Sequence, residues 1–285
     1  MHRGVQDDRG NTRIVIERSS GVGRNNWRES MKSIGSKIST PEYNSAVRML
    51  WRDALVHWKE HLPTHENRIL WPMQYPEMKK AQIVVIGFNP SFSPGNFGPL
   101  KDAESRAPRQ FYVSSGEDLN SEAPDAIQFE HDARGRGNCS AHRHYKNIHD
   151  AVGEGWESID LIPARKTAQR EISRLFTQTG RERMKIGGEA GLEFARTVRE
   201  LTYRLLHWLE PRGIWIADAG AARLILDDLG LHNRIGKVVD GAGYKMKITL
   251  SDRDIPTIIT GAFKCHYTSG GLDRMKNNAR EFFQI

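Results

Sequence analysis

The sequence predicts an α/β protein, a three-layer α/β/α sandwich around a short, mainly parallel four-stranded sheet with an extra hairpin. Three observations carry this expectation. Short apolar runs such as Gln82–Gly87 alternate with longer stretches of helical period, which is the pattern of parallel strands joined by crossover helices. The period is strongest through Leu192, Ala195, Val198, Leu205, Leu206 and Leu209, where a helix must bury one face. Finally, 285 residues at 38% hydrophobic supply enough core for one large domain or two small ones.

Taken in order, Met1–Ile38 is poor in apolar residues and carries eight basic and four acidic side chains. Such a segment buries too little surface to offset its ordering entropy. It is expected to be a disordered basic arm, either without a role or in weak contact with nucleic acid phosphates. Residues 39–285 are expected to form a single domain. Ser39-Thr40-Pro41-Glu42 combines cap residues, a proline in the first turn and a glutamate three after Ser39, the signature of a helix start. That helix carries Ala46, Met49, Leu50, Leu55 and Trp58 to about His61. Strand one is Gln82–Gly87.

A Pro/Gly-rich loop, Asn89–Pro99, follows, and residues 101–132 hold three basic and eight acidic side chains. A stretch this long is functional or disordered, and 93–138 reads as an insertion. A helix over His142–Val152 precedes strand two, Ile159–Ile162. The long periodic helix ends at Pro211 and Gly213, before strand three, Ile214–Ala217, and a helix over Ala221–Leu229. Lys237–Asp240 and Tyr244–Leu250, joined through Asp240-Gly241-Ala242-Gly243, form the expected hairpin. Strand four is Thr257–Thr260, and Arg274–Phe283 closes the chain as a helix.

Composition excludes several classes. A net charge of +7 and a pI near 9.4 lean moderately toward a polyanionic partner. Two cysteines, Cys139 and Cys265, cannot build a disulfide framework or a four-cysteine cluster. The longest apolar run, Ile83–Phe88, falls far short of a membrane span, and nothing at the start resembles a signal peptide. A soluble, cytoplasmic protein without membrane contact is expected. His57, His61 and His65 could hold zinc at their four-residue spacing, but Pro63 interrupts the helix and an exposed polar face explains them. His131, His142, His144 and Cys139 match no recognised ligand spacing. Gly21-Val22-Gly23 and Gly241-Ala242-Gly243 lack the strand–helix setting of a nucleotide fingerprint. No metal or cofactor is expected.

In an open parallel sheet, working residues lie just past the carboxyl ends of the strands. Three such ends carry polar groups: Gly87-Phe88-Asn89-Pro90-Ser91, Asp160 through Thr167, and Cys265 through Gly271. Asn89 on a tight turn can hold its amide oxygen against a water. His266 is suited to stabilising developing negative charge. Ser269, Gly270 and Gly271 can offer backbone N–H groups to a phosphate. Arg165, Lys166, Lys264, Lys276 and Arg280 are phosphate contacts or ordinary solvated charges. The plain alternative is that Asn89 and Ser91 cap turns and that His266 is a satisfied loop histidine.

Val84-Val85-Ile86-Gly87-Phe88-Asn89-Pro90-Ser91 resembles the first motif of the uracil-DNA glycosylase superfamily, nearest its mismatch-uracil and thymine-DNA glycosylase branch. His142-x-x-Tyr145-Lys146-x-Ile148 is similar to the helix that follows there. His266-Tyr267-Thr268-Ser269, with Leu272 and Arg274 beyond, is similar to the second motif, although Tyr267 and Thr268 replace its usual middle. The resemblance spans roughly residues 80–283. It implies a DNA glycosylase that hydrolyses the N-glycosidic bond of a flipped-out nucleotide. Asn89 would position the water, and His266 would stabilise the departing base. Leu272, or Arg274, would wedge into the duplex, with Ser91, Ser269, Gly270 and the basic residues above on phosphates.

The resemblance also places Asp160, or with a one-residue shift Leu161, where pyrimidine-reading members contact the base edge. A carboxylate only accepts hydrogen bonds, which suits the amino group of cytosine and opposes the O4 acceptor of uracil or thymine. With Phe88, Phe92 or Phe97 stacking on the base and the insertion enlarging the pocket, the expected substrate is a modified or deaminated pyrimidine. It could be a 5-substituted cytosine, hydroxymethylated or glycosylated, of bacteriophage DNA, and the enzyme then serves antiviral defence. The alternatives are an ordinary uracil-repair glycosylase, with Asp160 paired to Arg165 or a helix terminus, and a catalytically silent DNA- or nucleotide-binding module. The partner is DNA, duplex or single-stranded, bound by a monomer.

Overall fold

The computed structural model describes residues 4–6, 12–14, 36–58, 64–65, 68–70, 72–90, 112–113, 147–165, 172, 188–230, 244–250, 253–260 and 269–285. The main sheet has five strands: β1 (Ile83–Gly87), β2 (Trp156–Asp160), β3 (Gly213–Ile216), β4 (Tyr244–Leu250) and β5 (Arg253–Ile259). Their spatial order is β2-β1-β3-β5-β4. All neighbours run parallel except β4, which is antiparallel to β5. The α/β class is as expected, and β4 makes a fifth strand where four were expected. Smaller antiparallel pairings join Gly4–Gln6 to Thr12–Ile14, and Arg68–Leu70 to Thr64–His65 and Tyr112–Val113.

The helices are α1 (Thr40–Trp58), α2 (147–152), α3 (Gly188–Leu209), α4 (Ala219–Asp228) and α5 (Ser269–Phe283). The start of α1 is the cap legible in its sequence, with the Glu42 side chain reaching back to Ser39. The Ser39 backbone N–H donates to Glu42 Oε2 at 2.6 Å, and Tyr43 N donates to the Ser39 carbonyl at 2.9 Å. The Tyr43 bond is the first rung of the helical ladder, while the bonds from the Ser39 backbone and hydroxyl hold the Glu42 carboxyl below its usual range. The buried stripe is Tyr43, Val47, Trp51 and Ala54, spaced one helical turn apart. Met49, one of the apolar residues of this helix, is 56% exposed because it lies two residues off that stripe.

Strands β1 and β3 are apolar without alternation because both faces are covered. Val84, Ile86, Ile214 and Ile216 join a core shared with α1, α3 and α4. Ile83, Val85 and Trp215 join a second core with α2 and α5. Residues of opposite parity on one strand therefore feed separate cores.

Strand one starts a single residue later and strand three lies a single residue earlier than expected, while two strands and one pairing differ more. Strand two begins at Trp156 and ends at Asp160, where Ile159–Ile162 was expected. Its first three residues are only partly buried because β2 is an edge strand, so they lack a continuous apolar signal. Tyr244–Leu250 pairs with Arg253–Ile259 in a full antiparallel register, and Lys237–Asp240, its expected partner, lies outside the described residues. Pro256 lies inside β5, which was expected to start at Thr257. The parallel ladder to β3 begins only at Thr257, so the proline falls outside that ladder.

The C-terminus of α3 is closed by Glu210, which takes the left-handed conformation at φ 50°. Its carboxylate binds Lys37 and, at 2.6 Å, Lys80. Arg204 holds the Ser36 carbonyl at 2.9 Å. Ser36 through Ile38 are thus fastened to α3, and Ile38 is buried.

Candidate functional site

The order β2-β1-β3 means that the chain leaves β1 to one side and returns past it to the other. The edge at the carboxyl ends of β1 and β3 is the topological switch point, where open α/β sheets bind ligands. Three described segments meet at this edge: Phe88-Asn89-Pro90 after β1, Leu161 through Arg165 after β2, and Ala217-Asp218 after β3. Backbone bonds lock them together. Leu161 N donates to Gly87 O at 3.1 Å, Ile162 N to Phe88 O at 3.0 Å, and Ala217 N to Ile86 O at 3.0 Å.

Asn89 is 8% exposed. Its Nδ2 donates to the carbonyls of Pro90 at 3.2 Å and Ala164 at 3.1 Å. Carbonyls only accept, so these two contacts fix which end of the amide is the NH2 group and which is the oxygen. They also tie the exit of β2 to the exit of β1.

Asp160 ends β2 in register with Gly87 at the end of β1. It is 7% exposed, and its backbone N–H donates to Tyr75 Oη at 2.6 Å. Tyr75 is held in turn by Asn44, whose Nδ2 donates to Tyr75 O at 2.7 Å and whose Oδ1 accepts from Tyr75 N at 3.0 Å. The Tyr43 ring packs on Tyr75 with centroids 5.7 Å apart. Burial raises the Tyr43 hydroxyl pKa above the ordinary tyrosine range, and the nearby charge of Asp160 acts in the same direction.

The sequence reading missed this second layer. Tyr75 lies in an irregular segment whose buried residues, Pro72 through Tyr75 and Met78, follow neither helical nor strand period. Asn44 could have been flagged only as a polar residue beside the buried stripe of α1.

The remaining expected residues fall into four groups. Phe88 is 4% exposed and belongs to the core shared with α1, α3 and α4. A β-carbon on Gly220, in the first turn of α4, would stand 3.0 Å from its ring. Arg165 is 2% exposed, so its guanidinium lies beneath the surface where a phosphate contact would need it above. Lys276 pairs with Asp150 at 3.3 Å with its side chain 14% exposed. Arg280 donates to the carbonyls of Ala151, at 3.1 Å, and Asp150, capping the end of α2. Arg274 is exposed, and Ser269, Gly270 and Leu272 fall in the first turn of α5. His266, Ser91, Phe92, Phe97, Lys166 and Lys264 lie outside the described residues.

Asp218 accepts from the N–H groups of Gly220 at 2.7 Å and Ala221 at 3.0 Å, so at this edge it serves as the N-cap of α4. A separate shallow groove of about 730 Å³ is lined by Lys245, Lys247, Pro256 and Phe282 among others. It runs along β4, separated from β1 by β3 and β5, and so is not part of the edge that holds Asn89 and Asp160. Among the described residues no group of three or more His, Cys, Asp or Glu could hold a metal ion. Among them, too, no helix is long and apolar enough to cross a membrane. No family model matches the chain, and no curated protein matches it either.

Proposed function

We propose that this protein is a monofunctional DNA glycosylase of the uracil-DNA glycosylase type, a monomer that hydrolyses the N-glycosidic bond of a flipped-out pyrimidine. The observation that carries the reading is the seat of Asn89. The amide stands at the switch point of the sheet, and two carbonyls orient it. An acceptor positions a water best when its direction is fixed in advance, and the two carbonyls support that role for Asn89 Oδ1. The two cores on opposite sides of the sheet support a three-layer α/β/α arrangement.

In this reading the target nucleotide leaves the stack and enters the carboxyl edge. The glycosidic bond breaks as Asn89 Oδ1 holds the water, positive charge grows on the sugar near the DNA phosphates, and His266 donates a hydrogen bond to the departing base. Asn89 is a weak activator, so the reaction draws on binding energy or a good leaving group. Asp160, facing the base edge, favours a pyrimidine bearing an exocyclic amino group, such as a 5-substituted cytosine of phage DNA. The exposed Arg274 and the first turn of α5 are the better phosphate and wedge candidates, because Lys276 and Arg280 are engaged with α2.

The test is release of uracil, thymine opposite guanine, and 5-substituted cytosines from labelled duplexes, followed by alkaline cleavage at abasic sites. Asn89→Ala and His266→Ala are each expected to slow base release by about two orders of magnitude with DNA binding retained. Turnover near the wild-type rate in a folded Asn89→Ala protein would refute the assignment. Retained DNA binding with no base released by the wild type would favour the silent binding module.

A further inference from the structure

We infer that Gly87 determines the base selectivity of the site, by leaving the space in which the Asp160 carboxylate lies. This rests on the glycosylase reading above. Gly87 and Asp160 are partners at the last positions of β1 and β2. A β-carbon built on Gly87 would stand 2.3 Å from Asp160 Oδ1 and 3.4 Å from its Cγ. The first distance is a hard overlap, so the carboxylate occupies the volume that any other residue at position 87 would fill. The next nearest atom, the Ile159 carbonyl oxygen, is 3.9 Å away, which is ordinary contact. Among the described residues the carboxylate is therefore the severe obstacle to a side chain there.

The backbone of Asp160 cannot readily retreat to relieve such an overlap. Its N–H is tied to Tyr75 Oη at 2.6 Å, Tyr75 is clamped by Asn44 on both sides of its peptide, and Leu161 N is bonded to Gly87 O. A methyl group at position 87 must then swing the carboxylate to another rotamer, away from the end of β1 where Asn89 also sits. Tyr75 and Asn44 are positioning residues in this scheme, and Asp160 is the group that meets the base. If its carboxylate accepts a hydrogen bond from an amino-bearing pyrimidine, displacing it removes that preference and leaves the water-positioning amide in place.

The experiment is a double-mutant cycle over Gly87→Ala and Asp160→Ala, read both as thermal midpoint and as the ratio of cytosine-type to uracil-type base release. With Asp160 present, Gly87→Ala is expected to lower the midpoint and to reduce the release ratio by about tenfold or more, the range that one base-edge contact commands. With Asp160→Ala as background, the overlap is gone and Gly87→Ala should change neither quantity appreciably, because the two sites couple only through that contact. Base release with additive effects of the two substitutions would overturn the selectivity role and leave the glycosylase reading standing. A wild-type protein that releases no base from any duplex would overturn both, and the midpoint cycle would then report on the steric contact alone.

Discussion

Replacing Asn89 by aspartate tests the geometry of the site without changing its size. The amide NH2 group faces the carbonyl oxygens of Pro90 and Ala164 at 3.2 and 3.1 Å. A protonated carboxyl can donate to one of them only, so the variant loses one hydrogen bond even when neutral, about 1 kcal/mol. An ionised carboxylate would set negative charge against two acceptors in a position 8% exposed, and its folded-state pKa must rise. The unfolded chain sheds this proton at about pH 3.9, whereas the folded chain holds it, so the deficit grows by about 1.4 kcal/mol per pH unit until the raised pKa is reached. An elevation of about two units brings the deficit to roughly 4 kcal/mol at neutral pH. At about 2–4 °C per kcal/mol for a chain of this size, the midpoint should fall by about 8–16 °C. The assay is thermal unfolding of wild type and Asn89→Asp from pH 4.5 to 7.5, where the gap must widen from the acid end and level off once the raised pKa is passed. A gap that stays constant or narrows would show that the NH2 end does not face those carbonyls, and the orientation of Oδ1 would fall with it.

Two further outcomes follow from ion pairs away from the site. Asp228 accepts from Arg199 Nε at 2.7 Å and Nη2 at 2.9 Å and from the Tyr203 hydroxyl at 2.7 Å, in a pair only 12% and 8% exposed. Asp228→Ala strands a buried guanidinium and should cost about 3–5 kcal/mol in urea unfolding; a loss under about 1 kcal/mol would mean that solvent screens the pair. Glu210 is held down to about 2 by its hydrogen bonds to Lys37 and then Lys80. A depressed carboxyl stabilises the fold above its ordinary value near 4.5 and loses that effect as pH falls toward 2. Glu210→Gln should therefore flatten the stability curve between those limits, and superimposable wild-type and variant curves would refute the pairing.

The legible parts of the fold were those written in neighbouring residues. The cap at Ser39 and Glu42, the runs of β1 and β3 and the period of α3 each rest on local chemistry, and each element stands within a few residues of its expected place. The partner of Tyr244–Leu250 was misread because Asp240-Gly241-Ala242-Gly243 is a stronger turn signal than Ser251-Asp252, which is all that separates β4 from β5. At the site, Asn89 could be placed just past the end of β1 from its apolar run, whereas Asp160 was singled out by the resemblance although the end of β2 was set two residues too late. Tyr75 and Asn44 were not found, since their part depends on an irregular segment crossing to the edge of β2. The burial of Phe88 and Arg165 was equally hidden, because each lies past a strand end, where sequence pattern no longer fixes direction.

The strand order bears on how the protein comes into being. β1 is early in the chain, yet its only neighbours in the sheet are β2 and β3, which are synthesised much later. Closing such distant pairings costs chain entropy that no local contact repays. The turn bearing Asn89 therefore gains its support only after the Ala164 and Ile216 regions have left the ribosome. In the proposed reading, a nascent or truncated chain cannot present half a site, and the capacity to strip bases from DNA arises only with the completed sheet.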